Sequence, residues 1–136
     1  MSFKTFRRRR IIGADDVDGL GHVNNTVWVK FVVELAGAHS AALGFDWQTV
    51  RNLGGQWLVR RHEIDYRRSA VRGDEIEEET WIASIRGARS VRASRFTRPS
   101  DELEYVTAVT HWAFTDPETQ RPRRIPDEIL KEFSPE

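Results

Sequence analysis

Apolar residues in the first third of the chain recur with the spacing of one face of a helix. Asn24, Asn25 or Thr26 suits the N-cap of such a helix, and Gly44 suits the position just after its end. The segment from residue 25 or 26 to residue 43 carries few charges, so it predicts a long helix enclosed by protein on most sides. Its apolar stripe consists of Trp28, Phe31, Val32, Leu35, Ala36, His39, Ala42 and Leu43.

Most of the remaining chain has the composition of strands. Residues 3–12 favour a strand ahead of the helix, and everything after the helix reads as strand up to a proline-containing tail from residue 116. Short connections favour antiparallel neighbours, so the last four strands predict a meander. The sequence therefore predicts a single α+β domain over residues 1–136, with one antiparallel sheet curled around the helix. The four later strands cover residues 56–67, 75–86, 88–98 and 105–115.

Composition narrows the class of protein. The 136 residues are 39% hydrophobic and 31% charged, which is ordinary for a globular domain. No apolar run approaches eighteen residues, and no secretory signal pattern is present, so we expect a cytoplasmic protein without a membrane span. The absence of cysteine removes disulfides and thiolate nucleophiles, and a formal net charge of zero gives no reason to expect nucleic acid as a partner.

Candidate chemistry is concentrated in residues 16–28. Asp18 lies in a glycine-rich turn just before the predicted helix start, where free backbone N–H groups favour an oxygen that gains negative charge. This pairing suggests attack on a carbonyl. The alternative is a turn whose side chains only cap the helix. A calcium loop is excluded because Leu20 stands where an oxygen ligand is required, and we expect no metal.

The same residues carry a family resemblance that extends over nearly the whole chain. The main motif reads Asp16-x-Asp18-x-x-Gly21-His22-Val23-Asn24-Asn25-x-x-Trp28 and resembles the signature of the 4-hydroxybenzoyl-CoA thioesterase and YbgC-like group. A later stretch, Asp65-Tyr66-Arg67-Arg68, resembles plant-type acyl-ACP thioesterases. The resemblance implies a hotdog fold and hydrolysis of an acyl thioester, foremost acyl-CoA or else an acyl-carrier-protein thioester, without a cofactor beyond the coenzyme A of the substrate.

The resemblance also implies roles for particular residues. Asp18 is the catalytic carboxylate, acting as nucleophile on the thioester or as base toward water, and backbone N–H groups near Asn25 polarise the carbonyl. His22 either orients water or the carbonyl oxygen, or it only bonds the turn. Gly21 and Trp28 belong to the substrate-binding part of the motif.

Departures from the acyl-ACP enzymes favour the simpler chemistry. Leu20 stands where those enzymes have a catalytic asparagine, and Ser69-Ala70 replaces their Glu-Cys pair. A mechanism that needs those side chains is therefore excluded, and Asp18-centred hydrolysis is favoured.

Binding of coenzyme A phosphates is expected from Arg89, Ser90 and Arg124, which occupy positions where the resemblance implies phosphate contacts. The five arginines spaced every third residue between positions 86 and 98 do not share one strand face, and we expect most of them at the surface. The acidic run 74–79 predicts a solvent face. His39 and His111 are expected to be packed structural residues.

The resemblance also implies a homodimer or homotetramer with the active site at the seam between copies. Two other functions stay open on the sequence alone. They are a hydratase or dehydratase on the same fold, and a non-catalytic acyl-CoA-binding module.

Overall fold

A five-stranded antiparallel sheet curves around one long helix in the computed structural model, which describes residues 4–133. This arrangement confirms the predicted α+β fold. The helices are α1 (Asn25–Ala42), α2 (Trp47–Asn52) and α3 (Asp127–Phe133), with a short 3-10 turn at Ala14–Asp16. The strands are β1 (Thr5–Ile11), β2 (Gln56–Tyr66), β3 (Glu75–Arg86), β4 (Arg89–Thr97) and β5 (Glu104–Thr115).

The central helix α1 forms where the apolar spacing predicts it. The Asn24 side chain accepts a hydrogen bond from the Thr26 amide at 2.9 Å, and the helix ends before Gly44, which has a φ of 92°. That left-handed conformation suits glycine because it has no Cβ. Six of the eight predicted stripe positions are buried, namely Trp28, Phe31, Val32, Leu35, Ala36 and His39.

The strand order is β1-β3-β4-β5-β2, so the predicted four-strand meander is wrong in one respect. Strands β3, β4 and β5 do form a meander, but β2 pairs with β5 rather than with β3. The free edge of β3 is taken by β1, whose arginines face the glutamates of β3 across the pairing. Pairs of opposite charge across two strands stabilise their pairing, so these residues favour β1 as the neighbour of β3.

Glu78 corrects the prediction that the acidic run is a solvent face. Ile76, Glu78 and Thr80 alternate toward the helix, and all three are fully buried. Glu78 is the partner of Arg8 at 2.7 Å and of Arg10 at 2.8 Å, one guanidinium on each carboxylate oxygen. A buried charge is stable only when it is paired in this way.

The core divides into two clusters along α1. The first lies under the N-terminal half of the helix and includes Trp28, Phe31 and Phe96. The second lies at the opposite end and is covered by α2 and α3, which were not predicted. These helices are six and seven residues long, too short for periodicity to identify, and they exist because packing stabilises them. No helix in the described range is long and apolar enough to span a bilayer.

Candidate active site

The turn that carries Asp18 is held by its own backbone. Asp18 Oδ1 accepts hydrogen bonds from the amides of Leu20 at 2.9 Å and His22 at 3.3 Å. The Asp18 amide donates to the His22 carbonyl at 2.8 Å, and the Gly21 amide donates to the Asp18 carbonyl at 3.0 Å. Gly21 has a φ of 82°, which explains glycine at this position. Asp18 Oδ2 has no hydrogen-bond partner within residues 4–133, so one oxygen is fixed and the other is free.

The helix start beside this turn has one unused donor. The Asn24 side chain accepts from the Thr26 amide, and the Asn24 carbonyl accepts from the Val27 amide at 2.9 Å. The Asn25 amide makes no hydrogen bond to any described residue. It therefore retains the exposed N–H that a helix start offers to an anion.

A cavity of about 290 Å³ opens at the same helix start. Its lining includes Asn25, Trp28, Tyr66, Arg68 and Ser69. The Tyr66 hydroxyl donates to the Asn25 carbonyl at 3.2 Å, which ties the end of β2 to the first turn of α1. In the sequence, Asp65-Tyr66-Arg67-Arg68 carries a family resemblance but gives no indication that Tyr66 lies at the helix start. The structure brings it there.

The sequence-predicted motif residues are only partly assembled in one chain. Asn25 and Trp28 line the cavity, although Trp28 is mainly a core residue with 2% exposure. Asp18 and His22 are solvent-exposed and lie outside its lining. The main-chain amide and carbonyl of His22 bond the Asp18 turn, while one oxygen of the Asp18 carboxylate has no hydrogen-bond partner among residues 4–133.

The residues expected to bind phosphates lie at the other end of the sheet. Arg89 begins β4 beside the Gly87 turn, and Arg124 precedes Ile125, whose amide donates to the Gly87 carbonyl at 3.1 Å. Both arginines are exposed, whereas Ser90 is buried with 4% exposure. The Asp18 turn instead lies near the start of β3, a strand about 35 Å long at 3.3 Å per residue. A single chain therefore keeps the two predicted groups apart.

Comparisons with known proteins identify the family of this chain. The family model described as the acyl-ACP thioesterase N-terminal domain matches residues 3–133. The chain is 29% identical over 80 residues to the palmitoyl-acyl carrier protein thioesterase of Cuphea hookeriana, which is chloroplastic. That match covers 58% of this chain and only 19% of the relative's length.

Solved structures share the fold. A 1,4-dihydroxy-2-naphthoyl-CoA thioesterase from Synechocystis superposes with a TM-score of 0.87 at 17% identity, covering 95% of both chains. A Staphylococcus aureus protein solved in complex with CoA gives a TM-score of 0.88 at 13% identity, covering all of this chain and 89% of that one. The predicted fold is thereby confirmed, and the chain belongs to the hotdog-fold thioesterases, in the family of the acyl-ACP thioesterase N-terminal domain.

Proposed function

We propose that this protein hydrolyses an acyl thioester, foremost an acyl-CoA, with Asp18 as the catalytic carboxylate. The observation that carries the proposal is the state of that carboxylate, with Oδ1 held by two turn amides and Oδ2 unbonded, immediately before a helix start with a free N–H. Acyl transfer needs a group that attacks the carbonyl or activates water, and a donor that stabilises the oxyanion; a fixed carboxylate near an oriented N–H supplies both.

Two routes are chemically consistent with these groups. As a nucleophile, Asp18 Oδ2 bonds to the carbonyl carbon, the C–S bond breaks to release the thiolate, and water then cleaves the mixed anhydride to the free acid. As a base, Asp18 takes a proton from water, whose oxygen attacks the same carbon; the C–S bond then breaks, and the leaving thiolate takes up that proton to give the free thiol and the acid. In both routes the Asn25 N–H stabilises the negative charge that develops on the carbonyl oxygen.

We further propose that a second copy of the chain completes the site. Asp18 and the Arg89–Arg124 end lie at opposite ends of β3, so they serve one coenzyme A only if they come from different copies. In a two-fold dimer, a contact between one end of a chain and the other end of its partner occurs twice, so two identical composite sites form. Exposed guanidinium groups at that end suit phosphate binding.

Free-thiol release from a panel of short, long, branched and aromatic acyl-CoAs, alongside the matching acyl-carrier-protein thioesters, tests the proposal. Asp18→Asn keeps an oxygen for the turn amides but removes the carboxylate, and we expect a loss of about a hundredfold or more in kcat. Asp15→Asn, an exposed carboxylate in the same segment, is the matched control and should leave the rate unchanged. Equal rates for Asp18→Asn and wild type would remove Asp18 from the mechanism, and binding without turnover of any thioester would favour the acyl-CoA-binding alternative.

Mixing two inactive variants tests the composite site. In a heterodimer of Asp18→Asn with the double variant Arg89→Ala and Arg124→Ala, one site carries all the defects and the other carries none. Statistical exchange of subunits should then restore about a quarter of wild-type activity. If both variants are inactive alone and the mixture stays inactive, both groups serve sites within one chain; if the double variant is active alone, the arginines are not required.

A further inference from the structure

A second cavity lies at the far end of α1 from Asp18. It has a volume of about 360 Å³, within the range of small-molecule sites, and lies between the C-terminal half of α1, the inner face of the sheet, α2 and α3. Its walls are mainly apolar and include Trp57, Ile82, Ile125, Ile129 and Phe133. By its shape and lining it suits an apolar group, and the Asp18 mechanism makes no use of it.

Two arginines line this cavity, the exposed Arg51 and the buried Arg92. Arg92 is only 5% exposed, because it points from β4 toward the helix rather than to solvent. Its Nη1 donates to His39 Nδ1 at 2.9 Å and to Thr80 Oγ1 at 3.1 Å. Its Nε and Nη2 make no hydrogen bond to any residue from 4 to 133, and no carboxylate in that range lies within 4.0 Å of it. Two parallel donors of a guanidinium are therefore unused.

The neighbours of Arg92 do not neutralise it. Burial and the nearby guanidinium lower the pKa of His39 to about 4, so the ring is neutral and accepts the hydrogen bond. Burial lowers the pKa of Arg92 only to about 10, so it stays charged at neutral pH. A buried charge without a counterion is unfavourable, which creates a preference for an anion beside it.

Further polar groups lie on the same strand face. Ser90 is two residues before Arg92 on β4, and its partner across the sheet is Trp112 of β5. Both line the cavity, and the indole N–H of Trp112 is buried without a hydrogen-bond partner among the described residues. Arg92, Ser90 and Trp112 thus place hydrogen-bond donors in the wall of a mainly apolar cavity.

From this arrangement we infer that the cavity binds an amphipathic monocarboxylate, with its apolar chain between α1 and α3 and its carboxylate on Arg92. The free Nε and Nη2 donors match the two oxygens of one carboxylate. Arg92 is the one buried guanidinium in the described lining, since Arg51 is exposed to solvent, and one buried positive charge favours a carboxylate over a phosphate dianion. Free fatty acids belong to this chemical class.

Binding of decanoate to the whole protein tests the inference, with 1-decanol as an uncharged ligand of equal chain length. Isothermal titration calorimetry gives the affinity, and three of the five tryptophans, Trp47, Trp57 and Trp112, line the cavity and provide a fluorescence signal. We expect saturable binding of decanoate that is about tenfold or more tighter than that of decanol, since a charge-assisted hydrogen-bond pair is lost with the alcohol.

Two variants locate the ligand. Arg92→Met removes the charge but fills similar space, and should weaken decanoate binding about tenfold or more while leaving decanol unchanged. Arg95→Met, on the opposite face of the same strand, is the matched control and should bind decanoate like wild type. Gly37→Leu extends a side chain from α1 where a Cβ meets nothing within 4 Å, so it should fold well and block both ligands.

The inference is independent of Asp18 chemistry, because Asp18→Asn should bind decanoate with wild-type affinity whatever its effect on hydrolysis. It is overturned if decanoate shows no saturable binding, or if decanol binds as tightly as decanoate. Unchanged decanoate affinity in Arg92→Met or in Gly37→Leu would likewise overturn it.

Discussion

The pH dependence of stability provides a sharp test of the buried His39–Arg92 pair. His39 is 3% exposed, and its ring stacks on Phe6 with centroids 5.2 Å apart and meets Phe133 edge-on at 5.0 Å. A guanidinium can only donate, so Nδ1 of His39 must be unprotonated to accept from Arg92. Protonation of His39 at low pH should therefore destabilise the folded state.

The sign and size of the effect follow from the pKa values. The pKa of His39 falls from 6.5 to about 4 on folding, with burial as the main cause and the charge of Arg92 as the second. Below pH 6.5 His39 binds a proton in the unfolded chain but stays unprotonated in the folded chain. The free energy of unfolding therefore decreases as the pH falls toward 4. At about 1.4 kcal/mol per pKa unit, the whole effect is about 3 kcal/mol, of which about 2 kcal/mol is lost by pH 5.

Urea denaturation at pH 7.5, 6 and 5 measures this loss. His39→Gln keeps an acceptor for Arg92 but does not titrate, so its stability should decline by about 2 kcal/mol less than wild type between pH 7.5 and 5. His62 also has a pKa lowered by burial, so His62→Gln is the comparison variant and should keep the His39 part of the decline. If His39→Gln and wild type lose stability in parallel, the ring is not held neutral and the reasoning fails.

Two further predictions concern stability and can be measured by urea denaturation at neutral pH. Glu78→Gln should destabilise the protein by about 2–4 kcal/mol, because the half-buried guanidinium groups of Arg8 and Arg10 lose their charged partner. Glu77→Gln, which breaks a more exposed pair one residue away, should cost less than about 1 kcal/mol, and equal losses would contradict the role given to burial. Asn24→Ala should cost about 1 kcal/mol through loss of the α1 cap, and no change in the midpoint would show that the cap is dispensable.

The sequence determined the elements that have strong local signals. The 3.6-residue spacing predicted α1 to within one residue at its end, and strand composition predicted β2 to β5 to within one residue at each end. Residues 3–12 predicted β1, which covers Thr5–Ile11, while residue 3 lies outside the described part of the chain. These signals succeed because each depends on side chains close together along the chain.

Long-range pairing explains the features that local signals missed. Whether Glu78 and Arg92 face solvent depends on which face of each strand packs against α1. The charged run around Glu78 and the three-residue spacing of the arginines around Arg92 do not reveal that face. The pairing of β2 with β5 and the helices α2 and α3 likewise depend on distant partners.

The candidate site likewise has features that the local sequence predicted and features that only the tertiary structure determined. Residues 16–28 predicted by themselves a carboxylate in a tight turn before a helix start, because the glycines and the Asn24 cap act locally. Only the tertiary structure placed Tyr66 against Asn25, separated Asp18 from Arg89 and Arg124, and enclosed Arg92 in an apolar cavity. Those relations arise from strand register and from the direction in which each strand runs, which no short stretch of sequence contains.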